Sequence, residues 1–392
     1  MALYILLIFA LLRPITIGIV QYIPFILELF AVTFSLLFII IICANLRNIK
    51  YDNIDIIIFI YYFYCGLSIL WGSSYREVCR FILPILLFYV VRITITDRNA
   101  IKALLTSFIL GYSFLILGST FLIISGRSES IIVYHSGIER FQGMASGQHA
   151  LAHSMFIFSI IYALFKIYYI NISKILEYIL LLLLICSIYC LYKTFTRTAL
   201  LGLIIFWMIL FFGCNKKLFV SLILGALIIS FFNYEKIHQV IWQVEPDIGH
   251  SENIDHASSG RLTLWSHNLY IFSQLTIVEK MLGIGIGNEG TQIEELQNIT
   301  AFSHNDYLTL LMTTGIIGLL LYLLIIYNFI IHVTTLYLEY KVKYIFISFF
   351  VSVCIMNFFS NSYINRFELG QLFYLFMGLA YQLQSENFQN IR

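Results

Sequence analysis

The sequence predicts an all-α, polytopic integral membrane protein with about twelve transmembrane helices and one large extracytoplasmic loop. Composition is the first reason: of 392 residues, 60% are apolar and only 11% charged, against about 25% charged in an ordinary soluble domain. Such a chain cannot make a water-facing surface. The second reason is recurrence, because apolar runs of spanning length follow one another along the chain, and twelve helices of about 20 residues would use roughly 240 positions. The third is a single interruption: residues 233–303, 71 positions, hold most of the polar variety, including Glu245, Asp247, His250, Glu252, Asp255, His256, Arg261 and Glu294. The same figures exclude a disordered chain, and 22 Gly with 4 Pro exclude a collagen-like repeat. A net charge of +2 is too small to point to nucleic acid, so any electrostatic role must come from where the charges stand.

In chain order the spans are expected at 2–19, 22–44, 54–72, 79–95, 100–124, 150–170, 175–193, 198–213, 217–232, 306–331, 344–360 and 367–382. They divide the chain into 1–232 with nine spans, the 233–303 loop, and 304–392 with three, all forming one integrated domain. The run from Met1 to Leu12 lacks a preceding basic stretch and a small-residue cleavage site, and is expected to be an uncleaved first span. The seven cysteines lie in or beside apolar runs with no C-x-x-C pair, and read as small buried hydrophobes. The 35 Phe and 27 Tyr are spread over many runs, which suits packing and interface anchoring rather than a carbohydrate platform.

Sidedness follows from the basic residues of the short connections. With the N-terminus in the cytoplasm, Lys50, Lys102, Lys166, Lys174, Lys216, Lys217, Lys341 and Lys343 fall inside, and Lys193, Lys236 and Lys280 outside. Lysine therefore obeys the insertion bias, and the 233–303 segment is expected outside. Arginine runs the other way: Arg47, Arg92, Arg98 and Arg392 fall inside, but Arg76, Arg80, Arg127, Arg140, Arg197, Arg261 and Arg366 fall outside. Those outward arginines need a separate reason. A planar, permanently charged guanidinium grips phosphate in bidentate fashion, which suits a diphosphate held at the outer membrane boundary. Arg76, Arg80, Arg127 and Arg366 can equally snorkel to lipid headgroups or pair with acids such as Glu77 and Glu139. Arg197 has no acid within ten residues and stands between two apolar runs; an ion in that setting is a functional candidate by default.

Other polar features have plain readings. Arg13 and Glu28 fall at similar depth on either side of a turn near Ile19 to Tyr22, so a mutual ion pair is expected. His149 and His153 are four apart and read as an interfacial pair rather than metal ligands, with no third ligand nearby in sequence. The glycine run Gly283-Ile-Gly-Ile-Gly-Asn-Glu-Gly290 looks like a dinucleotide fingerprint but lacks the strand–helix setting, and is expected to be a tight backbone turn whose amides could at most touch phosphate. His250-Ser-Glu-Asn-Ile-Asp-His256 meets no standard ligand spacing and reads as a solvated loop, with sugar binding as the alternative. The absence of a D-x-D pair disfavours a metal-held nucleotide-sugar donor. No metal and no cofactor are expected.

Thr196-Arg197-Thr198-Ala199, Gly260-Arg261-Leu-Thr-Leu-Trp265, Gly283-Ile-Gly285-Ile-Gly287, Ser303-His304-Asn305-Asp306-Tyr307-Leu308 and Gly315-Ile-Ile-Gly318 come in the order seen in the O-antigen ligase and O-antigen polymerase superfamily. Arg140-Phe-Gln-Gly143, followed by Gln148-His-Ala-Leu-Ala152, also resembles that family, although 148–149 departs from its Asn-containing form. The resemblance covers roughly 140–320. It implies a multi-span glycosyltransferase, similar to integral-membrane transferases of the C type, working without a metal. Its donor would be a glycan on polyprenyl (undecaprenyl) diphosphate, used on the periplasmic side of the bacterial inner membrane. The acceptor would be a second carrier-linked glycan for a polymerase or lipid A core for a ligase, with membrane lipids and a chain-length regulator as further partners. By that resemblance Arg140, Arg197 and Arg261 contact the diphosphate and His304 is the base.

The chemistry of the residues leads to a similar place. Displacing a glycan from diphosphate builds negative charge on the leaving oxygen, which fixed guanidinium groups such as Arg197 and Arg261 stabilise. A base removing the acceptor proton contributes about 10²–10⁴-fold. His304 titrates near neutrality where the loop re-enters the membrane, and Asp306 could orient it; the alternatives are that His304 caps the following helix or hydrogen-bonds the loop. Polymerase is the first expectation, because the loop offers few basic residues, Lys236, Arg261 and Lys280, to a phosphorylated core. A lipid-linked oligosaccharide flippase ranks lower, since it would place charge along a central path and keep its outer loops short.

Overall fold

The computed structural model describes residues 1–49, 51–126, 131–133, 139–169, 172–232, 260–290, 303–335, 339–360, 363–364 and 366–383. Apart from one small ribbon, the ordered elements are helices: α1 (Ala2–Ile19), α2 (Ile26–Ala44), α3 (Asn53–Leu67), α4 (Tyr75–Ile82), α5 (Leu86–Thr94), α6 (Arg98–Ser125), α7 (Gln148–Tyr168), α8 (Lys174–Lys193), α9 (Arg197–Cys214), α10 (Lys216–Phe232), α11 (Arg261–Gln274), α12 (Ile277–Leu282), α13 (Asp306–Thr335), α14 (Tyr340–Phe359) and α15 (Phe367–Gln382). Among the described residues nine helices are long and apolar enough to cross a membrane, and the chain is an all-α multi-pass membrane protein. The other three expected spans are a helix interrupted by a 3₁₀ turn at Leu83–Ile85, and two shorter helices, α10 and α15. Pro84 lies in that turn, where its missing N–H would leave a gap in a continuous helix.

The helices pair as long-range neighbours: α9 along α14, α1 along α6, α5 along α15, and α3 along α13. At the centre stands α7, whose residues Leu151, Ala152, Met155, Phe156, Ile157 and Phe158 are fully buried and which touches α6, α8, α9 and α14. A hydrophobic-all-round helix of this kind belongs inside a bundle.

The connections alternate between two ends. At one, Arg98 lies over Tyr168 and Lys102 over Tyr169, Lys166 pairs with Glu177, and Arg92 pairs with Asp55 at 2.6 Å and Asp52 at 3.0 Å. At the other, Gln21 donates to the carbonyls of Gly143 and Ala145, Ser73 receives the Ile286 amide, and Arg261 donates to the Phe359 carbonyl. Helix α3 begins at the first end and leads to Ser73 at the second, so lysine-rich and arginine-rich connections occupy opposite ends of one bundle.

Two expectations are corrected. Arg13 and Glu28 do not pair: Glu28 is exposed and meets Arg76 at 2.8 Å, whereas Arg13 is buried with its guanidinium carbon 5.3 Å from the Phe30 ring centre. Helical rise fixes depth, but the rotation of a helix about its axis is set by packing, and here it turns Arg13 inward. The cysteines are all free, yet Cys43 and Cys79 are exposed rather than buried; on a lipid-facing helix surface an apolar thiol needs no protein neighbour. The segment 250–256 and Arg127 lie outside the described residues.

Candidate active site

Three arginines arrive at the second end by separate local devices. Arg140 sits in the ribbon β1 (Ile131–Val133) and β2 (Glu139–Phe141), opposite Ile132. The turn after it, at Gly143 with φ +59°, is held by Gln21, and the Met144 amide donates to Ser119 Oγ at 3.4 Å. Arg197 opens α9 after a sharp corner in which Phe195 has φ +50°. There Thr194 Oγ1 donates to the Leu191 carbonyl at 2.7 Å and accepts the Thr196 amide at 3.2 Å. Arg261 opens α11 directly after Gly260, at φ +73°. Neither the N-cap residue of α9 nor that of α11 caps its helix with its side chain, and each helix adds its positive dipole end to an arginine.

Arg197, Thr198, Leu201, Arg261, Leu262, Trp265 and Phe359 line one cavity of about 240 Å³, with no carboxylate among them. The Thr196 and Thr198 hydroxyls are buried without a hydrogen-bond partner among the described residues. Burial, followed by the charges of Arg197 and Arg140, pushes the Arg261 guanidinium down to about 10. It therefore stays charged at neutral pH. Three mutually repelling cations brought together in this way form a receptor for a polyanion.

His304 stands beside this cluster on an irregular turn, with φ +51°. The turn is tied on both flanks. The Ser303 amide donates to Glu289 Oε1 at 2.8 Å, the Ser303 hydroxyl is 2.9 Å from Thr309 Oγ1, and Trp265 of α11 donates to the Ser303 carbonyl at 2.8 Å. Asn305 Oδ1 accepts the Tyr307 and Leu308 amides at 3.0 and 3.1 Å. The capping task considered for His304 thus belongs to Asn305, and among the described residues no hydrogen bond engages the imidazole. Phe195 and His304 are the two non-glycine residues with positive φ among the described residues. Such backbone costs about 1–3 kcal/mol and persists where its surroundings impose it, often at functional sites. Desolvation first, then the charges of Arg261 and Arg366, hold the His304 imidazole below its ordinary value, which leaves it neutral and able to accept a proton.

Asp306, the expected orienter, is buried, and its Oδ2 accepts the Ile364 amide at 3.3 Å. It ties the start of α13 to the segment preceding α15. The glycine run is a backbone brace, as its setting suggested. Ile284 and Gly285 amides donate to the carbonyls of Met312 and Thr313 at 2.9 and 3.0 Å, which the break at Gly315 (φ +67°, ψ −172°) frees within α13. With the Ile286 amide on Ser73 Oγ at 2.6 Å and the Asn288 amide on the Gly285 carbonyl at 3.3 Å, these donors serve the fold and not a phosphate.

A second cavity, about 280 Å³, is lined in part by His304 itself. Its lining includes Glu77, Arg80, Glu289, Thr309, Thr313 and Arg366. Glu289 is the residue that sequence reasoning missed: it is 1% exposed and hidden in a glycine-rich segment read for its turn alone. Burial pushes its carboxyl up, opposed by the nearby Thr309 hydroxyl and by Ser303. Of the histidine pair, His153 is fully buried against the Tyr363 ring, 5.7 Å away, and His149 is partly buried.

No curated protein matches the chain. The model of the O-antigen ligase family matches residues 182–323, a stretch that runs from α8 into α13 and contains Arg197, Arg261 and His304 but not Arg140. The family suggested by the ordered motifs is the one this match supports: over residues 182–323 the chain is similar to the O-antigen ligase family.

Proposed function

We propose that this protein joins oligosaccharide repeat units carried on polyprenyl (undecaprenyl) diphosphate, at the periplasmic face of a bacterial inner membrane, without metal or cofactor. The observation that carries the reading is the convergence of Arg140, Arg197 and Arg261, with no acid among the described residues that line the cavity of Arg197 and Arg261, next to a neutral histidine whose imidazole no hydrogen bond engages among the described residues. In the reaction, an acceptor sugar hydroxyl attacks the anomeric carbon of the donor. The bond from that carbon to the diphosphate oxygen breaks, its electron pair leaves with the diphosphate, and the hydroxyl proton passes to His304. The arginines and the positive dipole ends of α9 and α11 stabilise charge as it develops on the leaving group, which lowers the barrier more than it strengthens ground-state binding. Sidedness rests on the lysine bias: the lysine-rich end is the cytoplasmic one, and the arginine site faces the outer leaflet.

The ligase reading, with lipid A core as acceptor, is favoured by the description of the matching family. Both use the same donor chemistry. Reconstitution of the purified protein with a lipid-linked repeat unit, with and without lipid A core, decides between them. Longer carrier-linked glycans alone identify the polymerase; glycan on the core identifies the ligase. If neither forms and the lipid-linked unit instead changes leaflet, the protein is a flippase.

A further inference from the structure

We propose that the 280 Å³ cavity lined in part by His304 is the acceptor subsite, and that Glu289 is its specificity-determining residue, accepting a hydroxyl of the incoming sugar. The inference rests on the transferase reading above and adds where the second substrate sits. Four observations carry it. Glu289 is buried and spends Oε1 on the Ser303 amide at 2.8 Å, while Oε2 has no hydrogen-bond partner among the described residues although Glu289 lines the cavity. A buried carboxylate oxygen without a donor is costly to the fold unless a ligand supplies one.

The two cavities also differ in charge. Among the described residues the arginine cavity has no acid in its lining, whereas the second contains Glu77 and Glu289 with Arg80 and Arg366, and Arg80 is 3.8 Å from Glu77. A diphosphate would meet two carboxylates there, so the anion belongs in the first cavity and a neutral polyol in the second. The polar set, carboxylate, guanidinium and the threonine positions 309 and 313, matches the donor–acceptor character of sugar hydroxyls. The size fits as well: it lies at the lower edge of the roughly 300–1,000 Å³ typical of small-molecule sites, enough for one sugar ring and not for a whole repeat unit. Finally, His304 lines this cavity and also feels Arg261 of the other, so a hydroxyl held against Glu289 would present its neighbour to the base.

The test compares wild type, Glu289→Gln and Ile364→Trp in reconstituted protein, measuring KM for the glycan acceptor and, separately, affinity for polyprenyl diphosphate. Glu289→Gln keeps an oxygen for the Ser303 amide but replaces the free oxygen with a donor. Ile364→Trp narrows the cavity from its wall without altering the Ile364 amide that Asp306 receives. Both should raise the acceptor KM by about tenfold or more, the loss expected for one hydrogen bond to a charged group, with diphosphate affinity within about twofold of wild type. An unchanged acceptor KM in either variant, with the carrier still bound, overturns the acceptor assignment. Loss of carrier binding in both overturns it too, because the cavity would then serve the donor. Undiminished carrier affinity in Arg261→Ala would instead sink the transferase reading itself, so the two failures are distinct.

Discussion

His304 is held in a left-handed backbone conformation between tied neighbours: Glu289 and Trp265 engage Ser303, and Asn305 caps α13. Among the described residues no hydrogen bond engages the imidazole, which leaves it for chemistry. Arg197→Ala, Arg261→Ala and His304→Ala should each lower turnover by about 10²-fold or more at equal protein level, measured by glycan extension from a lipid-linked donor. The pH profile follows from the same groups. A base works deprotonated, and His304 is held below its ordinary 6.5 by desolvation, Arg261 and Arg366. The acidic limb of kcat/KM should therefore lie below pH 6.5, with activity retained as pH falls from 7 toward that limb. Arg366→Gln removes one of the depressing charges and should move the limb toward neutrality; an unmoved limb would mean that another group titrates.

Among the elements, α13 and α12 depend on each other. The break at Gly315 turns two carbonyls of α13 toward the amides of Ile284 and Gly285, and Tyr64 seals the junction by donating to the carbonyls of Leu282 and Thr314 at 3.0 and 2.8 Å. A Cβ at Gly315 would collide with the Met281 carbonyl and the Gly283 amide, in addition to the roughly 1–2 kcal/mol that a side chain costs in the left-handed region. Gly315→Ala should lower the melting temperature in detergent and reduce activity, since the brace positions Glu289 and the Ser303–His304 turn. Interrupted helices within a membrane bundle are tolerated where neighbours satisfy the freed backbone groups, and here the glycine run supplies those neighbours.

For the molecule as a whole, the arginine site and the Arg92 cluster mark opposite ends of the bundle. Arg92 has a side chain 8% exposed, pairs with Asp55 and Asp52, and lies over the Phe88 and Tyr381 rings. Removing one partner of a buried ion pair strands the other, so Arg92→Ala should cost about 3–5 kcal/mol of stability, visible in thermal unfolding, without a selective effect on the acceptor KM. Orientation is testable at Tyr270, which is 62% exposed on α11. In a cysteine-free background, needed because Cys43 and Cys79 are exposed, Tyr270→Cys should react with an impermeant thiol reagent from the periplasmic side. Labelling only after the inner membrane is opened would place the site on the wrong leaflet for its donor.

Composition and run length determined the helical membrane fold, because burial of apolar surface in lipid depends on local sequence and on little else. The ordered motifs around Arg197, Arg261 and His304 likewise pointed to the family, since a tight corner or a glycine turn is encoded within a few residues. What a residue faces was not encoded locally. Arg13 turned to Phe30 instead of Glu28, Asn305 took the cap considered for His304, Asp306 took the Ile364 amide, and Glu289 emerged from a glycine turn as the buried carboxylate of a second cavity. These outcomes depend on the rotation of helices about their axes and on contacts between segments far apart in the chain, which only the packed bundle fixes.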